Sequence, residues 1–198
     1  FRRVLFRSIS PDGRTHAVWM ESTGRQWRVC YSEQAGADGA WSPQEVISHS
    51  PNLKKAMRIR KLLLTFRGAF PCVIWSIDGV GAFSSVKTGP EWSKPVVLAT
   101  ASEVIAVIPQ ANGLLRLVFD SPTGVAVCDG DGLVWHKPIL LGLTLQKARG
   151  ETPRRPRVSS TITKEGGIHI VWTDWGSDLT CQIRYRYFDL YQNIVGSF

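Results

Sequence analysis

The sequence predicts an all-β fold assembled from a four-stranded antiparallel unit repeated about three and a half times, and three observations predict it. First, an apolar run closing on an aromatic and then a polar or acidic residue occurs four times. The copies are THAVWME (Thr15–Glu21), PCVIWSID (Pro71–Asp78), LLRLVFD (Leu114–Asp120) and IHIVWTD (Ile168–Asp174). Second, a Trp leading through a Pro-containing turn into an apolar run occurs as WSPQEVIS (Trp41–Ser48), WSKPVVLA (Trp92–Ala99) and WHKPILLG (Trp135–Gly142). The two motifs alternate, as they must if each repeat carries one of each. Third, shorter segments such as WRVCY (Trp27–Tyr31) and IRYRY (Ile183–Tyr187) place large apolar residues at every second position, the period of a strand.

Each strand of the unit can be assigned in order. The β-branched and apolar-rich segments RIRKLLLTF (Arg58–Phe66), EVIAVIPQ (Glu103–Gln110) and RVSSTIT (Arg157–Thr163) precede the first motif and supply a first strand. Turn residues separate it from the second strand: PDG at Pro11–Gly13, Arg67-Gly68, Asn112-Gly113 and Glu165–Gly167. The alternating segments give the third strand, and the Trp motif opens the fourth. The closing aromatics Trp19, Trp75, Phe119 and Trp172 lie 56, 44 and 53 residues apart. That period, with four strands in a row, is expected of a propeller blade. The expected fold is a partial β-propeller with blades over 9–50, 51–100, 101–144 and 145–198. Ile9 and Ser10 are read as the stub of a lost innermost strand, and the last blade as lacking its fourth strand.

Residues 1–8, FRRVLFRS, do not follow the repeat and read as a translated sequencing adapter, which implies a metagenomic reading frame entered mid-gene. They are expected to lie outside the fold, leaving a single truncated domain over 9–198. Without Arg2, Arg3 and Arg7 the formal charge falls from +8 to +5, and nucleic acid is not expected as a partner. No apolar stretch reaches the eighteen residues of a membrane span, since Thr100, Ser102 and Glu103 interrupt the longest. Cys30, Cys72, Cys128 and Cys181 are at least 42 residues apart and form no Cys/His cluster. They are expected as buried thiols, with no metal site. No phosphate-cradling Gly loop or Ser–His–Asp spacing is present, and no cofactor is expected.

The G-x-x-H-x-x-W strand, the x-I-x-Y strand and the W-S-x-P turn resemble the bacterial neuraminidase repeats of sialidase-like propellers. The resemblance covers Ile9 to about Asp189. In that family the third turn carries an Asp-box, S-x-D-x-G-x-x-W. Here Ser85, Gly89 and Trp92 match it, with Lys87 at the Asp position. The third repeat keeps Gly132 and Trp135, and the first has Gly39 two residues before Trp41. Ser10–Gly13 also resembles the S-P-D-G of periplasmic translocation propellers. Met57-Arg58-Ile59-Arg60 keeps the R-I core of the sialidase F/Y-R-I-P motif, but Met57 and Arg60 depart from it and no catalytic residue is carried over.

Strand order places the candidate site. In a four-stranded meander, the turn after the second strand and the link to the next repeat share one end. Second strands close there on Glu21, Asp78, Asp120 and Asp174, and the links bring Lys54, Lys55, Arg58, Arg154, Arg155 and Arg157. Arg offers a rigid fork for a sugar carboxylate, and paired carboxyls can act on a glycosidic bond. Trp175 after Asp174 could stack on a sugar. The candidate ligand-binding residues are therefore Arg58, Arg157, Asp78, Asp120, Asp174 and Trp175. Each acid is equally the residue that starts a turn by bonding its own backbone. The expected function is glycan or protein recognition. An exo-acting sialidase and a protein-interaction scaffold remain as alternatives, and the missing blades of the parent propeller are further expected partners.

Overall fold

The computed structural model describes all residues except 1–3, 24–25, 37–38, 50–58, 78–79, 99–102, 111, 122–123, 144–157, 164–166, 176–180 and 190–198. It is all-β, with four antiparallel sheets in chain order. The first sheet holds β1 (Val4–Ile9), β2 (Thr15–Thr23), β3 (Gln26–Gln34) and β4 (Glu45–His49). The second holds β5 (Ile59–Arg67), β6 (Phe70–Ile77), β7 (Gly81–Val86) and β8 (Val96–Leu98). The third holds β9 (Glu103–Pro109), β10 (Leu115–Ser121), β11 (Gly124–Gly130) and β12 (Ile139–Leu143). The fourth holds β13 (Val158–Ile162), β14 (Ile168–Trp175) and β15 (Cys181–Phe188). Strands pair with their sequence neighbours throughout, so every sheet is a meander.

The first motif forms β2, β6, β10 and β14, the second strand of each sheet. Each Trp of the second motif makes an isolated bridge back to the third strand, Gln34 to Trp41, Lys87 to Trp92 and Gly130 to Trp135, just before the fourth strand begins. Among the described residues the fourth sheet has three strands.

One expectation is corrected. Residues 4–8, assigned outside the fold, form β1 and pair with β2 from Val4–Met20 to Ile9–Thr15. The reason is period-two alternation. Phe6 sits opposite Val18 and packs with Met20 on the apolar cluster facing the second sheet. Hydrophobic alternation specifies a strand wherever the segment came from, so the first sheet has all four strands.

Alternation also decides how the sheets meet. Val73 and Trp75 join Val18, Val29 and Tyr31 between the first and second sheets. The intervening Cys72 and Ile74 join Leu115, Leu117 and Phe119 between the second and third. Val118, Val125 and Val127 meet Ile168 and Ile170 between the third and fourth. Strands buried on both faces read as nearly continuous apolar runs, which is why β6 is buried from Pro71 to Ile77. The first strands of successive sheets touch: β1 with β5, β5 with β9, and β9 with β13.

Candidate functional site

The meander puts the turns after the second strands at one end of the sheets and the Trp turns at the other. Of the expected ligand-binding residues, Asp120 is the one whose side chain is described. It lies one residue before the end of β10, half-buried, with its Cα paired to Glu103 on β9 and Val125 on β11. Two carboxyl-bearing residues thus sit side by side at the link end. Asp174 and Trp175 close β14 opposite Gln182 and Cys181, the corresponding end of the fourth sheet, and their side chains lie outside the description. Arg58, Asp78 and Arg157, with the other link cations Lys54, Lys55, Arg154 and Arg155, lie outside the described residues. Glu21 has another task. Its carboxylate accepts the Trp19 indole N–H at 3.0 Å and the Gln44 amide at 3.4 Å, tying β2 to the start of β4.

The Trp end carries a polar network that single residue types did not reveal. His16 is 3% exposed, with its Nδ1 2.6 Å from the Tyr31 hydroxyl and its Nε2 2.8 Å from the Ser10 hydroxyl. Tyr31 donates to Glu33 Oε2 at 2.8 Å, and Arg14 reaches Glu33 at 3.4 Å and Asp12 at 3.3 Å. Ser10 also bonds Asp12 inside the turn. Burial lowers the His16 pKa below its ordinary 6.5, opposed by the charges of Glu33 and Asp12. Burial, with donation to Glu33, raises the Tyr31 phenol far above its usual range. These are shielded, mutually satisfied groups, suited to holding a turn on a strand pair.

The same end shows how the turns before the Trp residues are held. Ser85 donates to the Ser93 carbonyl at 2.8 Å, and Ser93 Oγ accepts the Val86 amide at 3.1 Å. Ser32 and Ser42 repeat this arrangement at 2.8 Å and, from the Glu33 amide, 3.1 Å. The two-residue offset in the first repeat is therefore absorbed in the loop. Lys87, at the Asp position, instead crosses to the first sheet and binds Glu45 at 2.5 Å, while Trp92 donates to the other Glu45 oxygen at 2.9 Å.

The third repeat has Cys128 and His136 at the two serine positions and stabilises its turn through Asp131. That carboxylate accepts the Leu133 and Val134 amides at 2.9 and 2.7 Å and pairs with Arg67 of the second sheet at 3.2 Å. Burial works to raise its pKa, but those amides and Arg67 outweigh it and hold the carboxyl below the ordinary 3.8. Gly132 is needed there. Its φ is +87°, a conformation that favours glycine, and a Cβ would lie 2.4 Å from Val86 Cγ2.

Between the second and third sheets, an apolar slot of about 430 Å³ opens beside this turn, lined by Val96, Leu98, Phe119, Cys128, Trp135 and Pro138. Ala82 and Ser84 stand at the β7 positions that Val29 and Tyr31 fill on β3. Trp135 reaches into that space and donates to Ser84 Oγ at 3.0 Å. Cys30, Cys72 and Cys128 are free and buried, their pKa values pushed up by burial to about 11, 12 and 12. They are core residues rather than nucleophiles. No group of His, Cys, Asp and Glu among the described residues could hold a metal ion.

The chain is thus defined as an all-β protein of serially packed antiparallel sheets. No protein-family model matches it, and no curated protein matches it. Among solved structures it is similar to the crystal structure of polysaccharide lyase Uly1, at 11% identity and a TM-score of 0.43, over 94% of this chain. The chain spans 58% of the length of that structure.

Proposed function

We propose that the four sheets are successive blades of a β-propeller and that the chain is a recognition module for carboxylate-bearing glycans, bound at the link end. The contact of each first strand with the next carries this reading. First strands gathered along one line would bring the link ends of the sheets around one mouth. In this reading Arg58 and Arg157 grip a sugar carboxylate through their forked N–H groups. Asp78, Asp120 and Asp174 accept sugar hydroxyls, and Trp175 stacks on an apolar sugar face. Asp120 beside Glu103 is the described part of that rim.

Binding of the chain to an array of sialylated and uronate-containing glycans tests the proposal. Arg157→Ala is expected to lower binding by roughly tenfold or more, the loss of one charge-assisted contact of about 1.5–3 kcal/mol. Equal binding by the wild type and the variant would contradict it. Turnover of a sialoside during the assay would replace recognition by hydrolysis.

A further inference from the structure

The boundary between the second and third sheets lacks bulk at positions that the first boundary fills. Register aligns Trp75 with Trp19, so Ser76, Ala82 and Ser84 stand where the first sheet carries Met20, Val29 and Tyr31. Across the boundary, Ala126 pairs with Phe119, whereas Phe83 pairs with Trp75 and stacks on it at 5.7 Å. At the next boundary the β11 positions hold Val125 and Val127. Trp135 recovers part of the Tyr31 space by donating to Ser84 Oγ at 3.0 Å. The rest stays open as the slot of about 430 Å³. Close-packed interiors leave few voids larger than a water molecule, and this space falls within the roughly 300–1,000 Å³ of small-molecule sites. Both bounding sheets have four strands, and the slot lies between them.

The lining defines what could enter. Val96 and Leu98 come from the second sheet, Phe119 and Cys128 from the third, and Trp135 from the turn before β12. Cys128 counts as wall, since burial keeps its thiol neutral. The ionisable side chains on the rim are His136 and Lys137, both exposed, and no carboxylate lines the slot among the described residues. Lys137 makes no ion pair among those residues. A sugar needs several hydrogen-bond partners and finds few here. An apolar body with one anionic head matches both the walls and the rim.

We propose that the slot binds a small amphipathic carboxylate, a medium-chain fatty acid. Its alkyl chain lies between Leu98 and Phe119, and its carboxylate meets the Lys137 ammonium. A flexible chain suits the gap between two packed sheets, with aliphatic Val96 and Leu98 forming one wall. The slot opens beside the Trp turn, away from the link-end rim, and the inference does not depend on glycan binding.

Calorimetric titration of the purified chain with decanoate, and with decanol as its uncharged analogue, tests the proposal. Decanoate is expected to bind saturably at one site, roughly tenfold or more tighter than decanol, the share of one charge-assisted contact. Lys137→Glu is expected to abolish that difference while leaving decanol binding unchanged. Val96→Trp, at a half-buried lining position, is expected to lower the affinity for both ligands by roughly tenfold or more. Thermal midpoints close to that of the wild type show that each variant folds. Lys137 is exposed, so Lys137→Glu carries the test even where the larger Trp does not fit. Absence of saturable decanoate binding, equal affinity for decanoate and decanol, or a difference that survives Lys137→Glu would overturn the proposal. So would unchanged binding by a folded Val96→Trp.

Discussion

His16 joins a turn, a strand pair and a neighbouring sheet within one side chain. It bonds Ser10 in the first turn and Tyr31 on β3, and Phe66 of the second sheet covers its ring. Its place was legible in the sequence, because His16 and His169 recur at matching positions. Its partners were not, since Tyr31 is 15 residues away and becomes a neighbour only through the β2–β3 register. The lowered pKa has a signed consequence. Between the lowered folded value and the ordinary 6.5, the unfolded chain binds a proton that the folded chain does not. Stability is therefore full above about pH 6.5 and falls as the pH drops through that window. The thermal midpoint of the wild type should fall more steeply from pH 7 to pH 5 than that of His16→Gln. Parallel profiles would show that His16 does not titrate differently on folding.

At the scale of the element, β1 separates what patterning specifies from what origin suggests. The strands carrying an aromatic or Trp anchor were legible because the first-motif aromatics recur within the second strand of each sheet and each Trp bridges back beside the third strand. Residues 4–8 were set aside for their coding resemblance, although Phe6 already stood in strand alternation with Ser8 and Val4. The turns before the Trp anchors were legible as positions but not as bonds. Lys87 reads as a lost Asp until Glu45 of the neighbouring sheet is seen beside it, and Asp131 serves one residue beyond the motif position. Deleting residues 1–8 removes the β1 ladder and the Phe6 contact with Val18. A loss of about 1–2 kcal/mol is expected from one partly buried aromatic, or roughly 2–8 °C in the thermal midpoint for a chain of this size. An unchanged midpoint would mean that β1 contributes nothing to the fold.

For the whole molecule, the repeat period and the alternation on both faces together imply sheets packed in series, and that packing is observed. The candidate site was legible as a set of residue types at one end of the strands. Long links such as 144–157 have no alternation to orient their arginines, so sequence could assign Arg157 to an end but to no partner. The central claim is that the sheets are blades whose link ends share one mouth. A crystal structure of the chain, read for the positions of its two residue sets, tests this most directly. The account predicts Arg58, Arg157, Asp78, Asp120 and Asp174 together on one face near the line of first strands, with Trp41, Trp92 and Trp135 on the opposite face. Link residues and Trp turns intermingled on one face would contradict it.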